Sequence, residues 1–331
     1  MPAEKQRGTM RIILFLNNWG GWKVAQWLRE RNEDIVALVV QPESDERFAS
    51  RILEALDMPA DRVWRAPELR NPETVSRFRE LEPEIGISGW FGYILKPELL
   101  QAFRVGCINL HTAYLPWNRG WYTNVWPILD GSPAGMTIHF IDPGVDTGDL
   151  IAQRLVPVEP TDTGGSLHRK ITSGMVEFFK ETWPLIRAGK YTRTPQDHSK
   201  ATVYRRGVLA TLDHIDPDKE YPAGELLNLL RARTYPPYPA AYFVENDQRV
   251  YVRVEFVTGH PEGSIGQNSE CIDLKALCKA KKLLDLLHRG NEGLHQTAYF
   301  MHEGRRIGVR SQHLREEDIK PDQNPSWMTA E

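Results

Sequence analysis

The sequence predicts an α/β fold with a mainly parallel sheet in its first half, followed by a smaller α+β region. Three observations support this: the length of 331 residues, an alternation of short apolar runs with amphipathic stretches, and a repeated segment in the last third. A chain of this length is expected to form about two domains with a well-buried core. The fold therefore needs no disulfide or metal to hold it together.

Short apolar runs alternate with helical patterns from the first predicted strand to about residue 88. The runs are aliphatic, as in buried strands, and the stretches between them carry apolar residues at helical spacing. This β-α-β rhythm is typical of a Rossmann-like, mainly parallel sheet flanked by helices. In chain order we predict strand Ile12 to Leu16, a turn at Asn17 to Gly21, helix Trp22 to Arg31, strand Ile35 to Val40, helix Phe48 to Leu56, a short segment Arg62 to Arg65, helix Pro72 to Leu81 and strand Glu84 to Ser88.

The pattern changes after Val105, where polar and aromatic residues enter the loops. Ligands of such sheets bind beyond the carboxyl ends of the strands, so these loops are the place to look for a site. We assign residues 1–200 to one catalytic domain and 201–331 to a C-terminal region. The remaining elements of the first domain are strand Gly106 to Leu110, a loop His111 to Trp121, a helix to about Asp130, strand Gly135 to Ile141, strand Asp149 to Val156 and helix Ser166 to Ala188.

The C-terminal region contains an internal repeat. With an offset of 57 positions, residues 215–253 align without gaps on residues 272–310. Ala241-Tyr242-Phe243 matches Ala298-Tyr299-Phe300, and leucines coincide at four helical positions. Each copy is predicted to be a helix, a linker and a β-hairpin, which makes the region a duplicated helix-plus-β-hairpin unit. The hairpin turns are predicted at Asn246-Asp247 and Glu303-Gly304.

Charge and hydropathy exclude several classes of protein. The chain carries 41 Lys and Arg against 44 Asp and Glu, a net charge of −3, which argues against gripping nucleic acid or an anionic membrane. Its longest apolar runs, such as Ile35 to Val40, are far shorter than the about 20 residues that span a bilayer. The N-terminus also lacks the apolar region of a signal peptide. We therefore expect a cytoplasmic protein with no nucleic-acid or membrane partner.

The cysteines and histidines do not suggest a metal site. Cys107, Cys271 and Cys278 are irregularly spaced and form no C-x-x-C pair, which argues against both a disulfide framework and a zinc site. The ten histidines show no H-E-x-x-H or comparable spacing. We therefore predict no metal.

Three reactive side chains are expected to converge at the ends of two neighbouring strands. Asn109 and His111 flank Leu110, so their side chains fall on the same face of an extended strand. Asp146 lies in a glycine-flanked loop after the following strand. A histidine can move a proton near neutral pH, a carboxylate can orient or charge it, and an amide can donate to a developing oxyanion.

The segments around these three residues resemble the folate-dependent formyltransferase family. They are Asn109 to Trp121 (NLHTAYLPWNRGW) and Gly135 to Gly148 (GMTIHFIDPGVDTG). The family uses 10-formyltetrahydrofolate and an Asn/His/Asp triad, which these three residues match, and Pro116 and the Arg119-Gly120 pair are also present. The resemblance covers about residues 11–188. It implies a folate-dependent N-formyltransferase that uses no metal.

The resemblance also implies where the folate lies. The loop from Gly89 to Leu95 would form one wall of the pterin pocket, and the loop from Asp142 to Asp146 would supply backbone contacts on the other. Aromatic and aliphatic side chains can sandwich a flat heterocycle, and glycines let the backbone approach it. The residues expected at the folate are Trp90, Phe91, Gly92, Tyr93, Ile94, Leu95, Asp142 and Val145.

Further segments look like the sugar N-formyltransferase branch, whose members act on nucleotide-linked 4-amino-4,6-dideoxy sugars. These segments are Asn118 to Tyr122, Pro160 to Gly164 and Leu230 to Pro239. One departure is Thr112, since many members carry proline after the catalytic histidine. This residue leaves the triad intact and affects the expected shape of the loop.

The branch resemblance implies partners as well as a substrate. We expect Arg119 to pair with the diphosphate, and Trp121, Tyr122 and Tyr204 to stack on the base or the sugar. The expected partners are a folate and a nucleotide-linked amino sugar. A second copy of the chain, in a homodimer, is expected for another reason: the exposed hairpin edges and apolar helices of the repeated region suit self-association. The product would enter lipopolysaccharide O-antigen biosynthesis.

Three alternative functions remain open. A methionyl-tRNA formyltransferase would need a basic C-terminal domain, whereas residues 211–331 carry 15 Lys and Arg against 19 Asp and Glu. A formyltetrahydrofolate hydrolase would use the same triad and release formate without an amine. A non-catalytic protein that binds sugar nucleotides would have no need of all three triad residues.

Overall fold

The computed structural model describes residues 10–42, 48–257, 269–289, 298–320 and 328. The chain divides into two compact units, which we call the first unit and the second unit. The repeat predicted over 272–310 includes residues 290–297, which lie outside the described part. The first unit contains residues 1–120, 133–156 and 170–203, and the second contains 121–132, 157–169 and 204–331.

The helices and strands of the first 187 residues largely follow the predicted order. Most bounds agree within two residues because the apolar periodicity that predicts an element also buries it. In chain order they are β1 (Ile12–Leu16), α1 (Asn18–Glu30), β2 (Ile35–Val40), α2 (Ala49–Leu56), β3 (Val63–Arg65), α3 (Pro72–Glu80), β4 (Ile85–Gly89), α4 (Pro97–Leu100), β5 (Gly106–His111), β6 (Arg119–Gly120), α5 (Trp126–Asp130), β7 (Gly135–Phe140), β8 (Leu150–Leu155) and α6 (Gly164–Arg187).

A seven-stranded sheet forms the centre of the first unit. Its strands lie in the order β3-β2-β1-β4-β5-β7-β8. The pairs from β3 to β5 are parallel, whereas β7 runs antiparallel to both β5 and β8. The prediction of a Rossmann-like, mainly parallel sheet is therefore confirmed. The central strands β1 and β4 are buried along their whole length, as expected for a sheet covered on both faces.

The prediction of a glycine-containing turn between β1 and α1 is wrong. Helix α1 begins at Asn18, so Gly20 and Gly21 lie within its first turn. A Cβ atom on Gly20 would overlap the indole ring of Trp90, and one on Gly21 would lie 3.1 Å from the Cβ of Leu16. The two glycines are needed because other parts of the unit pack against the start of this helix, not because the chain turns there.

The second unit contains the duplicated helix-plus-β-hairpin region. Its four-stranded antiparallel sheet has the order β11-β12-β15-β14, and a separate pair joins β10 to β13. Both hairpin turns place their two central residues at positive φ, as two-residue hairpins require. The helices and strands that follow residue 187 in the chain are β9 (Val203–Tyr204), β10 (Glu220–Pro222), α7 (Ala223–Arg233), β11 (Ala241–Glu245), β12 (Gln248–Val257), β13 (Leu277–Lys279), α8 (Ala280–Arg289), β14 (Ala298–His302) and β15 (Arg305–Leu314).

Among the described residues, no helix combines the length and the apolar character that crossing a bilayer requires.

Candidate active site

Two of the predicted triad residues lie on β5, in the middle of the first unit's sheet. Asn109 and His111 are two positions apart, so their side chains share a face. Asn109 lies opposite Ser88 of the parallel strand β4 and opposite His139 of the antiparallel strand β7. His111 is the last residue of β5 and is buried. The strand therefore presents an amide and an imidazole at its carboxyl end.

The third triad residue, Asp146, lies in the loop between β7 and β8 and has a left-handed φ of 52°. The Gly120 backbone N–H donates a hydrogen bond of 2.8 Å to its Oδ2 atom. The side chain of Gln196 donates to the backbone carbonyls of Asp146 and Gly148, at 2.9 and 2.7 Å. Aspartate tolerates the left-handed region better than most residues, and these bonds hold the carboxylate in one position.

The structure brings the three predicted catalytic residues together around one oxygen atom. Oδ1 of Asp146 lies 3.4 Å from Nδ2 of Asn109 and 3.7 Å from Nδ1 of His111. The Nε2 atom of His111 lies 3.4 Å from the Asn118 carbonyl oxygen. A carbonyl only accepts hydrogen bonds, so Nε2 carries the proton and Nδ1 is the nitrogen that can take one. A proton on Nδ1 would face the carboxylate.

His139 is a fourth member of this group that the sequence did not reveal. Its Nδ1 donates to the Phe140 carbonyl at 2.8 Å, which leaves Nε2 as an acceptor 3.3 Å from Nδ2 of Asn109. The same Nε2 lies 3.7 Å from Oδ1 of Asp146. His139 thus holds the amide of Asn109 from the neighbouring strand. The signal that could have found it is the antiparallel pairing of β7 with β5.

The carboxylate of Asp146 is ionised at neutral pH despite its burial. Burial alone would raise its pKa, but the His111 and His139 rings, the Gly120 N–H and the Arg119 guanidinium lower that pKa below its usual value. The site therefore holds a fixed negative charge beside an imidazole.

The stability of the protein is expected to fall as the pH drops from about 6.5 to about 4. Burial lowers the pKa of His139 to about 4, with Asp146 opposing the shift, whereas an unfolded histidine titrates near 6.5. Between these values the unfolded chain binds a proton that the folded protein does not, so the free energy of unfolding decreases by about 2 to 3 kcal/mol. Urea unfolding of wild type and His139→Asn at pH 6.5 and 4.5 measures this. An equal loss in both proteins would contradict the prediction.

A second expectation concerns metals. The ligand-type atoms of His111, His139 and Asp146 lie within 4.8 Å of one another. Both ring nitrogens of His139 are already engaged, by the Phe140 carbonyl and the Asn109 amide, so a metal would have to break one of these contacts. We expect formyl transfer to survive exhaustive dialysis against EDTA at an unchanged rate. A loss that a single divalent ion restores would contradict the absence of a metal.

Arg119 lies in the first unit, where it is buried. Its Nη2 atom donates to Oε1 of Gln196 at 2.6 Å and lies 3.1 Å from Nδ1 of His198. Burial lowers the pKa of the guanidinium, while Asp146 and Asp142 act in the opposite direction. In this structure Arg119 supports the loop that carries Asp146, and its contact with a diphosphate stays a prediction.

Six of the residues predicted at the folate, residues 90–95, directly follow β4. Trp90 follows β4 directly with a left-handed φ of 53°, and its buried indole N–H has no hydrogen-bond partner among the residues that the structure describes. The ring of Phe91 contacts those of Phe15 and Tyr93 at centroid distances of 5.7 and 5.9 Å. Gly92 and Ile94 are exposed, whereas Leu95 packs into the hydrophobic core. The Leu95 side chain thus anchors the loop to the hydrophobic core.

The other folate loop is held by Asp142. Its Oδ1 atom accepts hydrogen bonds from the Thr147 hydroxyl at 2.5 Å and the Gly144 N–H at 3.1 Å, and Val145 is exposed at the tip. A Cβ on Gly148 would overlap the carbonyl of Phe140. Hydrogen bonds to the Asp142 side chain therefore hold the loop around Asp146 in its shape.

The three aromatic residues predicted at the nucleotide sugar all lie in the second unit. The ring of Tyr204 stacks on Trp126 with a centroid distance of 3.6 Å, so one of its faces is covered. Tyr122 has a left-handed φ of 63°, and its hydroxyl accepts from the Gly207 N–H at 3.2 Å. Trp121 is exposed, with the Arg206 guanidinium 5.3 Å from its ring centroid. Stacking on a substrate stays a prediction for all three.

Two family models and a curated relative match this chain, and all of them are described as formyltransferases. A family model described as formyl transferase matches residues 4–182, and one described as N-formyltransferase dimerization C-terminal domain matches residues 209–258. The methionyl-tRNA formyltransferase of Geotalea uraniireducens is 32% identical over 264 residues, which cover 78% of this chain and 82% of that protein.

Solved structures point to the same family. A Mycobacterium tuberculosis protein described as a "likely sugar N-formyltransferase" has a TM-score of 0.63 and 27% identity, covering 76% of this chain and 99% of that one. An N-formyltransferase from Helicobacter canadensis, solved with folinic acid and dTDP-3-aminofucose, shares the fold. Its TM-score is 0.58 at 21% identity, over 78% of this chain and 91% of that one. The predicted enzyme class is confirmed, and the chain belongs to the formyl transferase family.

Proposed function

We propose that this protein transfers the formyl group of 10-formyltetrahydrofolate to the amine of a nucleotide-linked 4-amino-4,6-dideoxy sugar. The observation that carries the proposal is the buried, ionised Asp146, with an imidazole 3.7 Å and an amide 3.4 Å from the same oxygen. Acyl transfer to an amine requires a group that moves protons and a donor for an oxyanion, and this group supplies both.

The side chains have separate roles in the proposed reaction. The neutral amine attacks the formyl carbon, and the bond from that carbon to the folate nitrogen then breaks. His111 takes a proton on Nδ1 beside the carboxylate and returns one to the leaving nitrogen. Asn109 stabilises the oxyanion by exchanging one of its present acceptors, His139 or Asp146, for the substrate oxygen. His139 and Gly120 keep the amide and the carboxylate in position.

The loop after β4 fits a flat, polar heterocycle. The rings of Trp90, Phe91 and Tyr93 and the exposed Gly92 backbone lie on one short segment. The indole N–H of Trp90, which no described residue accepts from, adds a buried donor whose burial is unfavourable until an acceptor reaches it. We assign the folate to this loop because its composition and its unsatisfied donor suit a pterin.

Support for the sugar acceptor comes from the chain itself and from one relative. Within the C-terminal region, residues 211–331 include more acidic than basic residues, which disfavours a polyanionic tRNA partner. The Mycobacterium tuberculosis structure, at 27% identity, is described as a sugar enzyme. The second candidate is formylation of methionyl-tRNA, which the 32% identity to such an enzyme over most of the chain favours.

One assay separates these candidates. The protein is incubated with 10-formyltetrahydrofolate and, in parallel, with dTDP-, UDP- and GDP-linked 4-amino-4,6-dideoxy sugars, with methionyl-tRNA, or with no amine. We expect a formyl group on a nucleotide sugar, detected by mass, and no steady formate release without an amine. Transfer to methionyl-tRNA alone, or steady formate release, would overturn the sugar proposal.

Residues 209–258 match a dimerization domain, and we infer that the first copy of the repeat is a pairing unit in this chain too. The predictions of a cytoplasmic location and of a role in lipopolysaccharide O-antigen biosynthesis belong with the sugar proposal. The first rests on the short apolar runs and the N-terminal sequence, and the second on the family resemblance.

A further inference from the structure

The two copies in the second unit have the same structure at a constant sequence offset. Every described element of the second copy begins 57 positions after its equivalent in the first: α8 after α7, β14 after β11, β15 after β12 and β13 after β10. Smaller contacts repeat as well. The bridge from His214 to Tyr242 recurs from Cys271 to Tyr299, and the ring of each tyrosine lies under an arginine, at 4.8 and 4.9 Å.

The backbone contacts between the copies are reciprocal. Gly224 N–H donates to the Leu274 carbonyl at 2.9 Å, and its equivalent Lys281 donates to the Pro217 carbonyl at 2.9 Å. Pro217 and Leu274 are themselves equivalent positions. Each copy therefore donates the same hydrogen bond to the other copy. Contacts that are made identically in both directions indicate a two-fold interface.

The strands between the copies show where the two-fold axis passes. In the antiparallel pair of β12 and β15, Val254 lies opposite Ser311, its own equivalent in the repeat. In the pair of β10 and β13, Tyr221 lies opposite its equivalent Cys278. A position that faces its own equivalent lies on the axis. The duplicated region is thus arranged as a dimer of two like units within one chain.

The same pairing buries the apolar faces of both helices. Leucines of α7 and α8, together with the inward residues of the hairpins, belong to one hydrophobic core that both copies share. Leaving such faces exposed would be unfavourable by about 25 cal/mol for each Å² of apolar surface. The leucines concerned, all at most 3% exposed, are Leu226, Leu227, Leu230, Leu283, Leu284 and Leu287.

The family model for dimerization covers residues 209–258, which include the first copy and none of the second. We propose that residues 272–310 are the built-in partner of this unit. The two copies then pair within one chain, and the protein is a monomer. This rests on the proposed role of the first copy as a pairing unit. It differs from the homodimer expected from the hairpin edges and apolar helices of the repeat, because the surface that would meet a second chain is covered by the second copy.

Two measurements on the full chain test the proposal. Light scattering across micromolar concentrations should give the chain mass of 38.0 kDa, and a mass about twice as large would overturn it. In a Cys271→Ser background, Tyr221→Cys places a thiol opposite the native Cys278. Mild oxidation should form a disulfide within one chain, seen as the loss of two free thiols in a protein that stays monomeric without reducing agent, and the added Cys278→Ser change should abolish that loss.

A covalent dimer through this cysteine pair would show that the copies pair between chains, and failure to form the bond in folded protein would show that they do not pair as described. Either result overturns the proposal. Formyl transfer is measured on the same samples. No transfer by a disulfide-bonded monomer would refute the enzymatic proposal alone, and a covalent dimer with normal transfer would refute the built-in partner alone.

Discussion

Replacing Asp146 by Asn is expected to lower the turnover of formyl transfer by about 10²- to 10⁴-fold while the protein remains folded. The change removes the negative charge beside His111, whose Nδ1 lies 3.7 Å from the carboxylate. The amide oxygen can still accept the Gly120 N–H, but an NH₂ group then faces Nδ2 of Asn109, and two donors oppose each other. Asparagine also adopts the left-handed φ of 52° readily.

The matched control is Asp149→Asn, which makes the same chemical change three residues further along. Asp149 forms an ion pair with Arg193 at 3.0 Å and is not part of the catalytic group. We expect nearly wild-type turnover in this variant. Normal turnover in Asp146→Asn, or equal losses in the two variants, would remove Asp146 from the mechanism.

Replacing His111 by Ala is expected to lower the turnover by a similar factor, about 10²- to 10⁴-fold, because the group that moves the proton is lost. The effect should appear in kcat more than in KM, since the imidazole acts on the reacting atoms. Thermal unfolding, followed by circular dichroism, checks that the buried position tolerates the smaller side chain. The control is His302→Ala, a change of an exposed histidine on β14.

The double variant tests whether the two residues act as one unit. If Asp146 works through His111, adding Asp146→Asn to His111→Ala should cause little further loss. Losses that multiply in the double variant would show that the two side chains act independently. The role assigned to the carboxylate would then be wrong.

The order of helices and strands was predictable because burial leaves a periodic trace in the sequence. The runs Ile12 to Leu16 and Ile35 to Val40 became strands with those bounds. The start of α1 was not predictable in this way. Gly20 is explained by the Trp90 ring, a contact from far along the chain that leaves no local pattern.

The catalytic group could be predicted in part for a similar reason. The spacing of Asn109 and His111 on one strand is a local feature, and Asp146 follows from the family resemblance. His139 depends on the antiparallel pairing that sets it opposite Asn109, and Gln196 reaches Asp146 from 50 positions along the chain. Neither partner can be read from local periodicity, because each is brought into place by the tertiary fold.

The axis within the repeated region has a consequence for how this chain can evolve. In a dimer of identical chains, every substitution occurs on both sides of the axis, and an axial residue must face another copy of itself. Here Val254 faces Ser311 and Tyr221 faces Cys278, pairs that two identical chains cannot form at an axis. One copy can therefore keep the packing that pairing demands, while the outer surface of the other diverges under separate selection.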